Sequence, residues 1–329
     1  MSNATVSFVL NPDSGQTISA PTRERVLSAV AELGYRPDRA AQGLRTGRSA
    51  TVGFVTLDDY FGAFAGPTIV GAHEAVMAHD SLLLIESASR DSRVTTESVE
   101  DLLARRVDGL IFAVEGTRKV VLPDGARSVP TVLADCFVAD GSLPCVLPDE
   151  VTGGYESTKL LLELGHTRLA HLTGNPSAWA TRARLRGFRR ALKQAGLNPA
   201  DQIVLSGNFH IDSGHDLTRR VLAAGDPPTA FLCGNDRMAV GCLLALQHEG
   251  LRVPDDISVM GYDDQHSLAA ELRPALTTVR LPYYEMGRWA AEQLFDGALE
   301  QLPAQTLLHC PVIRRDSVAR PASGGRRSR

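Results

Sequence analysis

Residues 51–57, Thr-Val-Gly-Phe-Val-Thr-Leu, decide the reading of the fold. The run is apolar or β-branched apart from one glycine, carries no charge, and lacks strict apolar–polar alternation. That pattern suits a short strand buried on both faces. Similar runs recur at 81–85, 109–114 and 131–134, with helical patterns between them at 64–79 and 94–106. The alternation resumes beyond residue 150. Strands are expected at 169–173, 202–205, 229–233 and 257–260, and helices at 152–164, 182–195, 212–224 and 236–249. Two successive βα series predict an α/β core of two lobes, each a doubly wound parallel sheet. Ligands of such sheets sit beyond the carboxyl ends of the strands, so the expected site is the cleft between the lobes.

Toward the amino end the rhythm is helical. Residues 2–11 read as the second helix of a helix-turn-helix, the one that enters the DNA major groove. A loop at 11–15 follows, with Asn11, Pro12, Asp13, Ser14 and Gly15. Ser19 fits an N-cap, Pro21 a first turn, residues 22–33 a helix and Gly34 its C′ position. Pro37 opens a short polar helical stretch at 38–44, and 46–49 reads as a linker. The Arg-rich end, 320–329, reads as a disordered tail.

The chain has 329 residues, 43% of them hydrophobic, which suffices for two or three compact units. Its net charge is −4, distributed as +2 over residues 1–48 and −6 over the rest. This split is either a basic DNA-contacting head on an acidic sensor or a chance fluctuation of two charges. The five cysteines, Cys136, Cys145, Cys233, Cys242 and Cys310, form no C-x-x-C pair, and no histidine cluster has zinc-ligand spacing. They are expected to be small buried thiols in a reducing cytoplasm. No basic stretch followed by an apolar run opens the chain, and no segment approaches the ~20 apolar residues of a membrane span. A nucleophile elbow, a Walker loop and a metal constellation are all missing from the sequence, so an enzyme is not expected. His166 and His171 flank a predicted strand and are expected to pack or cap there.

Nine segments extend the reading: ATVSFVLN (4–11), TRERVLSAVAELGYRPDRAAQGLRTGRS (22–49), TVGFV (51–55), RRVDGLIF (105–112), LLELGHTRLAHLTG (161–174), RLRGFRRAL (184–192), PTAFLCGNDRMAVG (228–241), VPDDISVMGYDD (253–264) and LTTVRLP (276–282). In order and spacing, over essentially the whole chain, they resemble the lac repressor (LacI/GalR) family of transcriptional regulators. The resemblance implies a helical DNA-binding head at 1–35, a hinge helix at 36–48, and a core resembling periplasmic sugar-binding proteins. The first lobe is expected at 49–148 plus 280–310 and the second at 149–279 plus 311–319. Implied partners are operator DNA, a small-molecule effector, most simply a sugar, and a second copy in a homodimer, with no cofactor and no metal. The family begins with a helix ahead of the turn, whereas here Met1 stands where the recognition helix usually opens with Val. The chain as written is therefore expected to bind operator poorly. The alternative is a cytoplasmic solute-binding protein that has lost DNA binding.

Site residues carry over by position. Asn3, Ala4 and Phe8 face base edges, and Thr5 and Ser7 lie near phosphates or the turn; Phe8 stands where an arginine is common. Val6, Val9 and Leu10 are expected to pack. Leu44 matches the leucine wedged into the minor groove, or is an ordinary apolar residue of a short helix. Arg39 is a phosphate contact or a solvated charge. In the cleft, Arg184 matches the family's arginine, whose fork suits hydroxyls or a carboxylate, or is one charge on an arginine-rich helix. Asn235 matches a ligand hydrogen-bonder, Asp236 fits the N-cap, and Asp263 matches a ligand carboxylate beside the loop-bracing Asp264. Phe209 matches a stacking aromatic. The first lobe offers Asp58, Phe64 and Asp135, each just after a strand, with Phe64 equally a core residue. Trp179 is expected in a loop before Arg184.

Overall fold

The computed structural model describes residues 2–10, 16–35, 47–57, 65–88, 92–265 and 267–322. The chain divides into two compact units, Met1–Ser49 and Ala50–Arg329.

Helices α1 (Asn3–Leu10) and α2 (Ala20–Glu32) form the first unit, in which Val9 and Val26 are buried. Ser19 stands in extended backbone ahead of α2, but its hydroxyl pairs with that of Thr22 at 2.9 Å instead of capping a helix N–H. The other end is closed as its glycine predicts. Gly34 adopts φ +59°, Tyr35 N donates to Val30 O at 3.0 Å, and Gly34 N donates to Ala31 O at 3.3 Å. This is a Schellman arrangement that satisfies carbonyls orphaned at a helix end. The expected loop at 11–15 and hinge helix, including Arg39 and Leu44, lie outside the described residues.

The second unit begins with β1 (Thr51–Thr56), α3 (Ala65–Ala78), β2 (Leu82–Ser87), α4 (Ser92–Ala104), β3 (Gly109–Lys119), β4 (Thr131–Phe137) and β5 (Cys145–Pro148). It continues through α5 (Glu150–Glu163), β6 (Leu169–Thr173), α6 (Trp179–Gln194), β7 (Ile203–Ser206), α7 (Ile211–Ala223), β8 (Ala230–Cys233), α8 (Asp236–His248), β9 (Ser258–Met260), α9 (Leu268–Glu271) and β10 (Thr278–Val279). It ends with α10 (Tyr283–Asp296), β11 (Gln305–Leu308) and β12 (Val312–Ile313). One parallel sheet has the order β11-β5-β4-β3-β1-β2, and the other β7-β6-β8-β9. A short antiparallel pair, β10-β12, sits where the chain passes between them.

The period-2 geometry of a strand sorts side chains to opposite faces. In β3, Ile111 and Ala113 enter one buried cluster, while Leu110 and Phe112 enter another. Helices cover both faces, which is why the strands read as continuous apolar runs. The second sheet repeats the arrangement, with Leu169 and Leu232 on one side and Ala170, Leu172 and Phe231 on the other.

The chain passes between the sheets near 148–150, 279–283 and 308–312, and these segments bond to one another. Asp149 N donates to Leu308 O at 2.8 Å, and Arg280 N donates to Pro311 O at 2.9 Å. Several elements exceed the sequence reading. β3 runs to Lys119 through a break in register between Ala113 and Arg118, and β4 runs to Phe137. β5, β10, β11 and β12 lie outside the expected strands, although 280–310, which holds α10 and β11, is expected in the first lobe. Strand β11 is short and only half-buried at alternate residues, so it carries no apolar run. All five cysteines are buried free thiols. No helix among the described residues is long and apolar enough to cross a membrane.

Candidate ligand-binding cleft

The second sheet ends in a series of tight turns that carry polar side chains. Beyond β9 the chain runs Gly261, Tyr262, Asp263; beyond β8 it runs Gly234, Asn235. Asp263 is buried, and Arg184 reaches it from α6, with Nη2 and Oδ1 3.4 Å apart. The fork of Arg184 is already engaged. Nε donates to Glu150 Oε2 at 2.7 Å, Nη2 to Glu150 Oε1 at 2.8 Å, and Nη1 to Gly234 O at 2.5 Å. The guanidinium also lies 3.6 Å from the centre of the Tyr262 ring. Burial opposes the Arg184 charge, but the Glu150 carboxylate outweighs it and holds the guanidinium firmly protonated. Burial likewise pushes the Asp263 carboxyl well above its ordinary value, against the pull of Arg184.

This constellation depends on how closely α5 and α6 cross. Gly154 and Gly187 meet at the crossing, where a Cβ on Gly154 would lie 2.4 Å from Arg184 O and one on Gly187 2.2 Å from Val151 O. Absent side chains there bring the start of α5, hence Glu150, against Arg184.

Asn235, and not Asp236, is the N-cap of α8: its Oδ1 accepts from Met238 N at 2.9 Å. Its Nδ2 donates to Phe209 O at 3.1 Å. Asp236 is turned inward instead, accepting from Thr278 Oγ1 at 2.6 Å and Gln265 N at 2.8 Å. Phe209 lies over the end of β6, so close that a Cβ on Gly174 would sit 1.9 Å from its ring. Asp264 pairs with Arg315 at 2.7 Å and braces its loop.

In the first sheet, Asp135 lies within β4 and not after it. The break in β3 register brings Gly116 N to Asp135 Oδ2 at 3.0 Å and the Thr117 hydroxyl to Oδ1. Asp135, Phe209 and Asp263 have φ of 57°, 70° and 113°, unusual values for residues with a Cβ. Strained backbone of this kind clusters at ligand clamps, where surrounding structure over-determines it. Trp179 is the first residue of α6, and its ring meets Phe137 of β4 edge-on at 5.4 Å, joining the two lobes.

The structure thus gathers Arg184, Asn235, Phe209 and Asp263 at one end of the second sheet. Asp135 stands on the first, within electrostatic reach of Glu150. Asp58 and Phe64 lie outside the described residues. In the head, Ala4 and Phe8 are exposed; Thr5 is half-buried with its hydroxyl 2.9 Å from that of Ser2, and Asn3 and Ser7 belong to the same helix. His166 is buried between Thr229 and Ala319 O, at 2.9 and 2.8 Å. His171 packs edge-on against Phe188, and burial lowers its pKa to about 3.

Glu150, Thr117 and Tyr262 escaped sequence reasoning. An acid in the first turn after the Asp149 cap reads as an ordinary helix-dipole partner. Tyr262 had a signal, since it stands inside the GYDD string that flags Asp263.

Burial, reinforced by the negative charge of Glu150, pushes the Asp135 carboxyl from 3.8 up to about 8, against the lowering effect of the Thr117 bond. Between those values the folded state holds a proton that the unfolded chain lacks, so stability falls as pH rises from about 4 to 8. This group alone is expected to remove on the order of 3 kcal/mol between pH 5 and 8. Asp135→Asn keeps both neighbours, with the Thr117 hydroxyl reversed to accept. The variant should be the more stable protein at pH 8 and show a shallower decline in melting temperature across that range. Asp236, raised to about 7 chiefly by burial, leaves a residual slope of the same sign. Parallel wild-type and variant profiles would refute the assignment to Asp135.

Residues 1–38 match the model of bacterial regulatory proteins, lacI family, and residues 158–318 match the periplasmic binding protein-like domain. The ribose operon repressor of Escherichia coli (strain K12) is 33% identical over 316 residues, covering 95% of this chain and 94% of that protein. Among solved structures, the lac repressor dimer bound to operator and the anti-inducer ONPF superposes with a TM-score of 0.77 at 28% identity, over 96% of this chain and 95% of that one. A LacI family transcriptional regulator from Enterococcus faecium with bound ribose superposes with a TM-score of 0.67 at 25% identity, over 82% and 99%.

Proposed function

The chain belongs to the lacI family of bacterial regulatory proteins, and from that premise we propose that it is a ligand-responsive transcriptional repressor acting in the cytoplasm as a homodimer. It has no enzymatic role in this reading. Its head contacts operator DNA through Asn3, Ala4, Thr5, Ser7 and Phe8, with Arg39 and Leu44 of the hinge stretch on phosphate and minor groove. Its core takes a sugar in the cleft against Asp135, Arg184, Phe209, Asn235 and Asp263, with Asp58 and Phe64 completing the first-lobe side.

The observation that carries the reading is the convergence of a carboxylate, an amide and a guanidinium at the strand ends of the second sheet, with a further carboxyl on the first. Such a set, closed by the Phe209 ring, fits a polyhydroxylated ligand with one apolar face. Effector and DNA are coupled only if the effector binds the two conformations of the core unequally, and the coupling is then reciprocal. A homodimer presents two heads to a two-fold operator.

The test is a thermal-shift screen of the full chain against sugars, sugar phosphates, nucleosides and nucleobases, followed by gel-shift titration on DNA flanking its own gene. A ligand at about 100 times its Kd adds about 2.7 kcal/mol of stability. The expected result is a sugar whose shift is lost in Asp263→Asn and which changes operator affinity. A sugar that stabilises the core without altering any DNA affinity would establish a solute-binding protein instead.

A further inference from the structure

Arg184 has five N–H groups, and little of its fork remains for a ligand. Glu150 takes two of them, Gly234 O a third, and a fourth faces Asp263, with the guanidinium carbon over the Tyr262 ring. The side chain is only 6% exposed. A bidentate pair of this geometry fixes the guanidinium plane and cancels its charge locally. The titratable groups around it are otherwise mainly carboxyls, of which burial holds Asp135 and Asp263 toward the protonated form. Asp135 and Asp263 are buried, and Asp236 and Glu115 both reach Asp263 electrostatically. Among the described residues, Arg118 acts on Asp135, and Arg315 is held by Asp264.

We propose that Glu150 is the specificity-determining residue of the cleft: by occupying the fork of Arg184 it leaves a site that accepts hydroxyl or ammonium donors and refuses anions. This rests on the cleft being the effector site. The ligand class that follows is an unphosphorylated polyol or amine-bearing sugar, whose donors meet the Asp135 and Asp263 carboxyls. A phosphate or carboxylate brought to the same place finds no free guanidinium fork among the described residues, so its charge would be buried there without a counter-charge. Asp135, held protonated near neutral pH by burial, would ionise on meeting an ammonium group, which favours the amine further.

The experiment uses inorganic phosphate as the probe, titrated into the full chain at ionic strength matched with chloride and read as the melting temperature. Wild type should show no shift beyond the chloride control. Glu150→Gln frees the positive charge, and its apparent phosphate affinity should rise at least tenfold. The double variant Glu150→Gln with Arg184→Gln should lose that gain, which separates fork binding from general salting effects. Should Glu150→Gln not fold, Glu150→Asp retracts the carboxylate by one methylene and should give a smaller gain of the same sign. A second arm compares ribose with ribose 5-phosphate, and glucose with glucosamine and glucose 6-phosphate, on wild type. A phosphate shift in wild type equal to that of Glu150→Gln, no gain in either variant, or a sugar phosphate that outbinds its parent sugar would overturn the proposal. If none of these sugars and no other sugar stabilises wild type, the effector class proposed above fails, while the phosphate arm still decides the role of Glu150.

Discussion

Arg184→Met is expected to destabilise the core by roughly 3–5 kcal/mol, because breaking a buried pair strands the partner charge. The cost arises from what remains behind. Glu150 loses both of its bonds to the guanidinium, Asp263 loses its counter-charge, and Gly234 O loses a donor, all at sites nearly sealed from water. Adding Glu150→Gln to Arg184→Met removes one stranded charge. The double variant should therefore be more stable than the sum of the single effects by about 2 kcal/mol or more, since residues of one network do not act additively. Urea unfolding with a linear extrapolation measures both quantities. A cost below about 1 kcal/mol for Arg184→Met, in the range of an exposed ion pair, would show that the pair is solvated.

Gly187→Ala is expected to cost about 3 kcal/mol or more, at the upper end of core overpacking. The added methyl would lie 2.2 Å from Val151 O and 2.4 Å from Tyr155 N. Both obstacles are backbone atoms of α5, so no rotamer change relieves them and the helices must separate. Separation also withdraws Arg184 from Glu150, so this variant should lose ligand response together with stability. Gly66→Ala is the matched control. A Cβ at Gly66 meets nothing within 4 Å, and alanine in an exposed helical position is expected to be neutral or to stabilise by about 0.5–1 kcal/mol. Equal melting temperatures for wild type and Gly187→Ala would mean that the crossing is looser than its geometry states.

Much of the architecture was legible from local pattern. The runs at 51–57 and 169–173 became interior strands because parallel strands buried on both faces need no alternation, so neither Thr-Val-Gly-Phe-Val-Thr nor Leu-Ala-His-Leu-Thr needs a polar face. Gly34 announced the end of α2 because only a residue tolerant of positive φ closes a helix that way. Less of the site was legible. The motif strings pointed to Arg184, Asn235 and Asp263, but not to the bonds they make. Asn235 turned out to cap α8 while binding Phe209 O, and Asp135 turned out to lie inside a strand at a left-handed angle.

What the sequence by itself determined is the alternation of the main strands and helices, their burial and the closure of α2 at Gly34, since these follow from the preferences of neighbouring residues. What only the tertiary structure decided is which distant groups share a charge. Glu150 and Arg184 lie 34 residues apart, and Thr117 and Asp135 lie 18 apart. Neither pairing leaves a local signature: the first depends on two glycines letting α5 and α6 approach to backbone contact, and the second on a break in register between β3 and β4. Strand β11 joins β5 across more than 150 residues of intervening chain for the same reason. A short run of residues sets its own backbone preference, but the electrostatics of a buried group are set by whatever the fold places within a few ångströms of it.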